Sequence, residues 1–256
     1  MIRIENEVCP TSEQMRFIIR GMRNPMNSWD KSDSVFGMYP AIPYAQYNKV
    51  IEIDQNGDAT YIGDKDLDLM KRLIKSGTDH RKFMRMIPVY VDITAPLYWW
   101  KEFDTYKVGT VANSCSTMHK IAEKEFTLDD FSCEHIVYGW TGKDKNGELV
   151  FLPGPGDCLV NIIIMLNRVR DSYLAACKKE SDMNLSAKDI WWQMIQLLPS
   201  SYNQKRSVML NYEVLANMYK SRKNHKLDEW RDFCKWMEDL PFSYLITGEE
   251  ENNGTL

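Results

Sequence analysis

Apolar and polar positions along this chain repeat with two periods, and each period marks a type of element. Residues 1–8 alternate enough for a strand, and Thr11-Ser12-Glu13-Gln14 is a capping-box start for a helix running to about Arg23, just before Asn24-Pro25. A polar loop spans 27–33. Residues 50–54 and 59–62 flank Gln55-Asn56-Gly57-Asp58, which reads as a hairpin turn. Asp64 or Asp66 is expected to cap a helix through Ser76, with Gly77 as its stop. A strand follows over 86–94, and Pro96 opens a helix carrying Tyr98, Trp99, Trp100 and Phe103. Three consecutive aromatics cannot share one side of a helix, so they read either as packing, including a subunit interface, or as a stacking wall for a planar ring.

Residues 127–157 contain a hairpin around Asn146-Gly147 and a Pro153-Gly154-Pro155-Gly156 turn, and mark an insertion near 119–157 in place of a separate domain. The Pro-Gly run lacks the spacing of a phosphate-binding loop. Residues 158–177 form a strongly apolar helix interrupted by Arg168, Arg170 and Asp171, and 186–197, 203–223 and 227–240 read as further helices. An acidic, polar tail over 248–256 is expected to be disordered. The pattern predicts one α+β domain over 1–247, with a small, mostly antiparallel sheet flanked by helices and long C-terminal helices.

Within 198–222, Asn211, Leu215, Met218 and Arg222 fall on one stripe at about 100° per residue, and the stripe is otherwise apolar. Burying an amide without a partner costs roughly 1–3 kcal/mol, so these polar groups meet either other protein groups or a ligand.

Composition narrows the class. The 32 basic and 36 acidic residues leave a net charge of −4, with no broad footprint for DNA or RNA. A hydrophobic content of 44% argues against disorder. No apolar run reaches the ~20 residues of a membrane helix, and the first residues lack a signal peptide's apolar core, so the expectation is a cytoplasmic protein without membrane contact. The six cysteines lack CxxC spacing and read as reduced thiols. Cys115 with His119, and Cys133 with His135, are the nearest approach to a zinc set, but their irregular spacing assigns no metal. Asp54-Gln55-Asn56-Gly57 and Asp144-Lys145-Asn146-Gly147 resemble the start of a calcium loop without its later ligands, and read as plain turns.

The Leu198-Pro199 step followed by Asn211, Asn217 and Arg222 resembles the flavin-dependent thymidylate synthases, the ThyX family, which carry Leu-Pro before an Asn-x5-Asn-x4-Arg helix. Gly77-Thr78-Asp79-His80 is similar to that family's Gly-His-Glu turn shifted by one residue, and it too leads to a strand and an Ala-Pro step, here Ala95-Pro96. The likeness covers roughly residues 64–118 and 158–238. At the family's Arg-His-Arg-x7-Ser motif this chain has Thr105-Tyr106-Lys107 and Cys115, so the motif is degenerate. Glu102 replaces a glutamine, Cys115-Ser116-Thr117 replaces Ser-x-Arg, and Met194-Ile195 replaces Ala-Arg.

The resemblance implies FAD, held by Asn211 and Asn217 with His80, Tyr106 and Lys107 beside it. It also implies a pyrimidine nucleotide substrate, NADPH and methylenetetrahydrofolate as co-substrates, and a homotetramer. Arg222 would polarise the pyrimidine ring through a charge-assisted hydrogen bond. Read from its own chemistry, His80 is equally a surface turn residue, and Lys107 is a point charge without arginine's planar fork. Cys115 is either a nucleophile, if a nearby cation or helix end favours its thiolate, or a small buried residue filling a serine-sized space. Two function classes follow: a divergent enzyme of methyl or hydride transfer to a pyrimidine nucleotide, or a non-catalytic relative that keeps the fold as a flavin- or nucleotide-binding or structural module.

Overall fold

A computed structural model describes residues 1–38, 51–180 and 184–248. The first residue of the strand expected at 50–54, and the expected tail from 249 onward, lie outside the described residues.

In chain order the elements begin β1 (Arg3–Val8), α1 (Ser12–Arg23), β2 (Val35–Met38), β3 (Ile51–Ile53), β4 (Asp58–Tyr61), α2 (Asp64–Lys75), β5 (Pro88–Pro96) and α3 (Leu97–Phe103). They continue with β6 (Val111–Ser114), α4 (Thr117–Lys120), β7 (Trp140–Lys143), β8 (Leu149–Leu152), α5 (Pro155–Cys177) and α6 (Ala187–Leu197). The chain closes with β9 (Asn203–Asn211), α7 (Tyr212–Arg222), α8 (Asp228–Glu238) and α9 (Tyr244–Thr247). The strands form sheets of order β1-β5-β9-β6, β2-β4-β3 and β7-β8. The pairs β2–β4, β3–β4 and β7–β8 are antiparallel. The class is α+β, as the hydrophobic pattern implied.

Several elements start where their local chemistry directs. Thr11 and Gln14 close the capping box of α1, with Gln14 N–H donating to Thr11 Oγ1 at 3.3 Å and Thr11 N–H to Gln14 Oε1 at 2.9 Å. Ser186 caps α6 through Asp189 N–H at 3.2 Å. Gly77 takes the left-handed conformation just past α2, at φ 95°. Asp54 Oδ1 accepts the N–H groups of Asn56 and Asp58, and Asp144 Oδ1 those of Asn146 and Glu148, so both calcium-like stretches are self-bonded turns.

Three expectations are corrected. The helix expected over 203–223 is a strand followed by a helix. Val208 and Leu210 are buried on alternate positions of β9, and Asn211 accepts Val214 N–H at 3.0 Å as the N-cap of α7. Short polar side chains favour that cap over a helix interior, so the helix starts after Asn211. The strand expected from residue 86 starts at Pro88, because Lys82–Met86 form a 3-10 turn. Finally, neither Asp64 nor Asp66 caps α2. Asp33 does so from outside, accepting Lys65 N–H at 3.0 Å and Asp66 N–H at 3.1 Å, and Gly63 allows the approach because a Cβ there would lie 2.3 Å from the Asp33 carboxyl carbon.

The chain forms two compact units. The first comprises Met1–Arg3, Thr94–Glu102 and Ser114–Arg206, and the second Ile4–Ile93, Phe103–Asn113 and Ser207–Leu256. In the first, Phe126 and Phe131 pack with Leu159, Ile163 and Leu166 of α5 and Met194 of α6, so residues 121–136 share one core with the helices that follow them. Trp99 and Trp100 are buried there, edge to face at 4.9 Å, and Trp100 Nε1–H donates to the Gln204 carbonyl at 2.9 Å, which is interior packing. The Pro-Gly run starts α5: Pro155 is its first residue, and a Cβ on Gly154 would lie 2.3 Å from Gly139 N. In the second unit α7 packs against α8 and α9, and its Leu215 and Met218 are fully buried. Among the described residues, no helix is long and apolar enough to cross a membrane.

Candidate functional site

The second unit gathers most of the residues singled out by sequence around α7. Arg222, its last residue, is half-buried. Its Nε–H donates to the Tyr106 hydroxyl at 3.0 Å, and its guanidinium carbon lies 4.7 Å from the Trp230 ring centre and 5.7 Å from that of Tyr106. A cation over these faces is attracted by the ring quadrupoles. His225 Nε2 lies 3.0 Å from Arg222 Nη1, while His225 Nδ1 accepts Leu227 N–H at 3.2 Å.

The N-cap of the same helix is the buried Asn211, whose Nδ2 sits against Gly109. Gly109 holds φ at +87°, and a Cβ built there would lie 2.4 Å from Asn211 Nδ2, so glycine is required on two counts. Asn217 is exposed, and its Oδ1 accepts Arg81 Nη2–H at 2.9 Å. Leu215, Met218 and Arg222 share one face of α7, whereas Asn211 stands before the helix as its N-cap, in extended conformation. Asn217 lies about 120° away from that face at about 100° per residue.

Between these positions sits a feature that sequence reading missed. Glu213 is buried and receives two arginines: Arg81 Nε–H donates to its Oε1 at 3.1 Å, and Arg85 Nε–H to its Oε2. Burial pushes the Glu213 carboxyl up, but the hydrogen bonds and charges of Arg85 and Arg81 outweigh it and hold the group below the usual range. An acidic residue in the first turn of a helix reads as complementing the helix dipole, which hid its role. Arg81 and Arg85, four residues apart beside His80, were the legible signal. His80 is exposed in the turn closed by its own N–H to the Gly77 carbonyl at 3.0 Å, and Lys107 is exposed next to Tyr106.

Cys115 belongs to the first unit. It is exposed, as is β6 just before it, and this overturns the reading of a buried filler for a serine-sized space. It lines a pocket of about 310 Å³ with Thr117, Lys120, Lys124, Gln204 and Lys205. Gln204 Nε2–H donates to Thr117 Oγ1 at 3.0 Å, and its Oε1 accepts Arg206 Nε–H at 3.0 Å. Ile195, at a position where the resemblance has a phosphate-binding arginine, packs in the apolar core. Burial pushes the thiols of Cys9 and Cys234 up to about 12, so both are inert near neutral pH. Among the described residues, no group of three or more His, Cys, Asp or Glu is placed to hold a metal ion.

No protein-family model matches the chain, and no curated protein matches it in sequence. Solved structures do match in shape. A crystal structure of thymidylate synthase X from Helicobacter pylori with FAD and dUMP has a TM-score of 0.56 at 15% identity, covering 97% of this chain and 98% of that one. The fold is ThyX-like. A second structure of the H. pylori enzyme, complexed with FAD and dUMP, gives a TM-score of 0.53 at 16% identity, covering 96% of this chain and 98% of that chain. At these identities the likeness is one of fold.

Proposed function

We propose that this protein binds FAD and a pyrimidine nucleotide and carries out methyl or hydride transfer to the pyrimidine. The observation that carries this reading is the α7 cluster: Asn211 at the N-cap of α7 and Asn217 and Arg222 on it, with Tyr106 bonded to Arg222 and Arg81 to Asn217. Support comes from the H. pylori enzyme, which has the same fold and was solved with FAD and dUMP. The residues present suit a flavin nucleotide. Asn217 has its carbonyl oxygen turned to Arg81, and its amide donors have no partner among the described residues. Lys107, His80 and the Arg81–Arg85 pair add cationic or donor groups suited to phosphate. Bound FAD would supply the hydride chemistry.

Arg222 would polarise the pyrimidine ring and stabilise negative charge developing on it. Tyr106, Trp230 and His225 restrict its rotamers, so the charge is pre-positioned. Cys115 lines a pocket whose Lys120, Lys124 and Lys205 suit an anionic group, and it is proposed as a reactive thiol there. NADPH and methylenetetrahydrofolate as co-substrates, and assembly as a homotetramer, complete the proposal. With Ile195 and Thr117 in place of arginines, deoxyuridylate itself is expected to bind weakly.

Visible absorption tests the reading. Purified protein incubated with FAD is expected to keep flavin bands through gel filtration, and a colourless protein overturns the proposal. Calorimetry with deoxyuridylate in the presence of FAD is expected to show little heat, whereas tight micromolar binding would show that other basic residues hold the phosphate. For the step itself, Arg222→Ala should abolish turnover while flavin binding persists.

A second reading, a non-catalytic module, is favoured by one observation: the Tyr106 hydroxyl and the Asn211 carbonyl oxygen already have protein partners, Arg222 and Val214. Flavin binding without turnover on any pyrimidine nucleotide would select it.

A further inference from the structure

Strands β7 and β8 form a hairpin, and neither has a second neighbour in a sheet among the described residues. A two-stranded hairpin alone is marginally stable, and a third strand or a packed face is what makes it secure. This one keeps apolar side chains in solvent instead. Leu149 is 76% and Phe151 74% exposed, with Tyr138, Trp140 and Leu152 exposed beside them. The rings are held in place. Phe151 lies against Gly139 and Tyr138 against Gly156, each so close that a Cβ on the glycine would collide with the ring. Apolar groups fixed in position at a surface suit a partner that covers them.

The two strand edges differ. β7 carries Gly142 and Lys143, residues that blunt an edge, whereas β8 reads Leu149-Val150-Phe151-Leu152 without a charge. Asp144 N–H donates to the Glu148 carbonyl at 2.9 Å, which makes 144 and 148 a hydrogen-bonded pair. Bonded and non-bonded pairs alternate along an antiparallel ladder, so the partners Lys143–Leu149 and Thr141–Phe151 are non-bonded pairs. The N–H and C=O groups of Leu149 and Phe151 therefore point out of the open edge of β8. Among the described residues, no backbone bond outside the hairpin uses them.

We propose that β8 pairs antiparallel with β8 of a second copy of this chain, joining two hairpins into one four-stranded sheet. Setting Leu149 of each copy opposite Phe151 of the other uses all the outward groups and places the two Val150 residues on the two-fold axis. It also gathers two leucines and two phenylalanines on one face. A register with Phe151 opposite itself would set Leu149 against Pro153, which has no N–H to give. Charge favours the same occupant. Residues 137–153 carry Lys143 and Lys145 against Asp144 and Glu148, so two copies meet without net repulsion, and the excess of basic residues that draws a segment to an anionic lipid surface is missing. Covering the exposed side chains on both copies would bury on the order of 1,000 Å², the lower bound of a specific interface. The hairpin lies outside the stretches on which the resemblance to ThyX rests, and its pairing is separate from the flavin reading and from the homotetramer included there.

Sedimentation velocity on the full chain at rising concentration tests the pairing. The unmodified chain is expected to self-associate, and Leu149→Lys/Phe151→Lys, at two exposed positions, to weaken that association by about tenfold or more, because four ammonium groups would meet on one face. Where other surfaces also assemble the chain, the variant's mass should fall to half. Its circular dichroism and FAD titration should be unchanged. Val150→Cys locates the contact: facing Cα atoms of a non-bonded pair lie about 4.5 Å apart, within disulfide reach, so mild oxidation should link two copies through that position, as read by peptide mass spectrometry. A chain that stays monomeric at every concentration, unchanged association in the lysine variant, or associating protein without the link at position 150 would each overturn the proposal. So would co-sedimentation of a monomeric chain with phosphatidylcholine vesicles that the lysine variant loses, which would make the hairpin a lipid-contacting surface.

Discussion

Two buried carboxylates in the second unit serve opposite ends. Asp66 faces one arginine, two serine hydroxyls and two backbone N–H groups, so its charge is matched within a closed knot joining α1, α2 and the segment before β2. Glu213 faces two arginines, Arg81 and Arg85, whose side chains are 19% and 42% exposed, and the first of them reaches out to the exposed Asn217. One carboxylate under two cations leaves about one positive charge facing solvent. The difference shows how a buried acid either closes a fold or presents cations to a ligand, and the number and exposure of its partners decide which.

That contrast breaks first at Asp66. Asp66→Asn should cost about 3–5 kcal/mol, because it leaves Arg23 buried beside an uncharged amide. Chemical denaturation measures it, and a cost below about 1 kcal/mol would mean that the knot is replaceable packing.

Acid should expose the same difference. Asp66 is pushed up by burial but held below the usual range by its bonds to Ser32, Ser34 and Arg23, and Glu213 is held low in the same sense by Arg85 and Arg81. A carboxyl whose folded value is depressed stabilises the fold fully above its unfolded value, about 3.9 for Asp and 4.3 for Glu, and loses that contribution as pH falls through the folded value. Stability should therefore be flat near neutrality and decline below about pH 4. The decline should be shallower in Asp66→Asn, as read by urea midpoints across pH.

Arg81→Gln is the sharper probe of the open cluster. It removes one of two cations on Glu213 and the bond to Asn217, so FAD affinity should drop by about tenfold while Arg85 still neutralises the acid and keeps the fold. A large fall in melting temperature with unchanged flavin affinity would make the Glu213 cluster a second structural knot. The smallest expected effect is at Asn217. Replacement with Ala should weaken FAD binding by roughly 1–2 kcal/mol, one hydrogen bond's worth, at unchanged stability.

Sequence reading located this site unevenly. Arg222 and Tyr106, placed near a common ligand by resemblance, meet at 3.0 Å, whereas Asn211 is buried as the N-cap of α7 and not on a stripe of that helix. Glu213, Trp230 and His225 escaped notice because a first-turn acid, a core tryptophan and a loop histidine carry no local signature of the groups they meet. For Cys115, residue type left a nucleophile and a buried filler both open, and its exposure is set by the exposed strand β6 that it follows.

What local chemistry determined is what acts over a few residues: the capping boxes of α1 and α6, the Gly77 stop, the Asn56-Gly57 and Asn146-Gly147 turns, and the α+β class. Those signals are short-range contests between a side chain and its own backbone, and no distant partner outbids them. Tertiary structure decided where such contests were nearly even. Residues 203–211 support either period, and sheet pairing made them a strand, with Asn211 left to cap α7. Asp66 lost the helix cap to Asp33, 33 residues away in sequence, and was drawn instead onto Arg23, 43 residues away. Long-range charge pairing has no period, so it becomes visible only when the chain is folded.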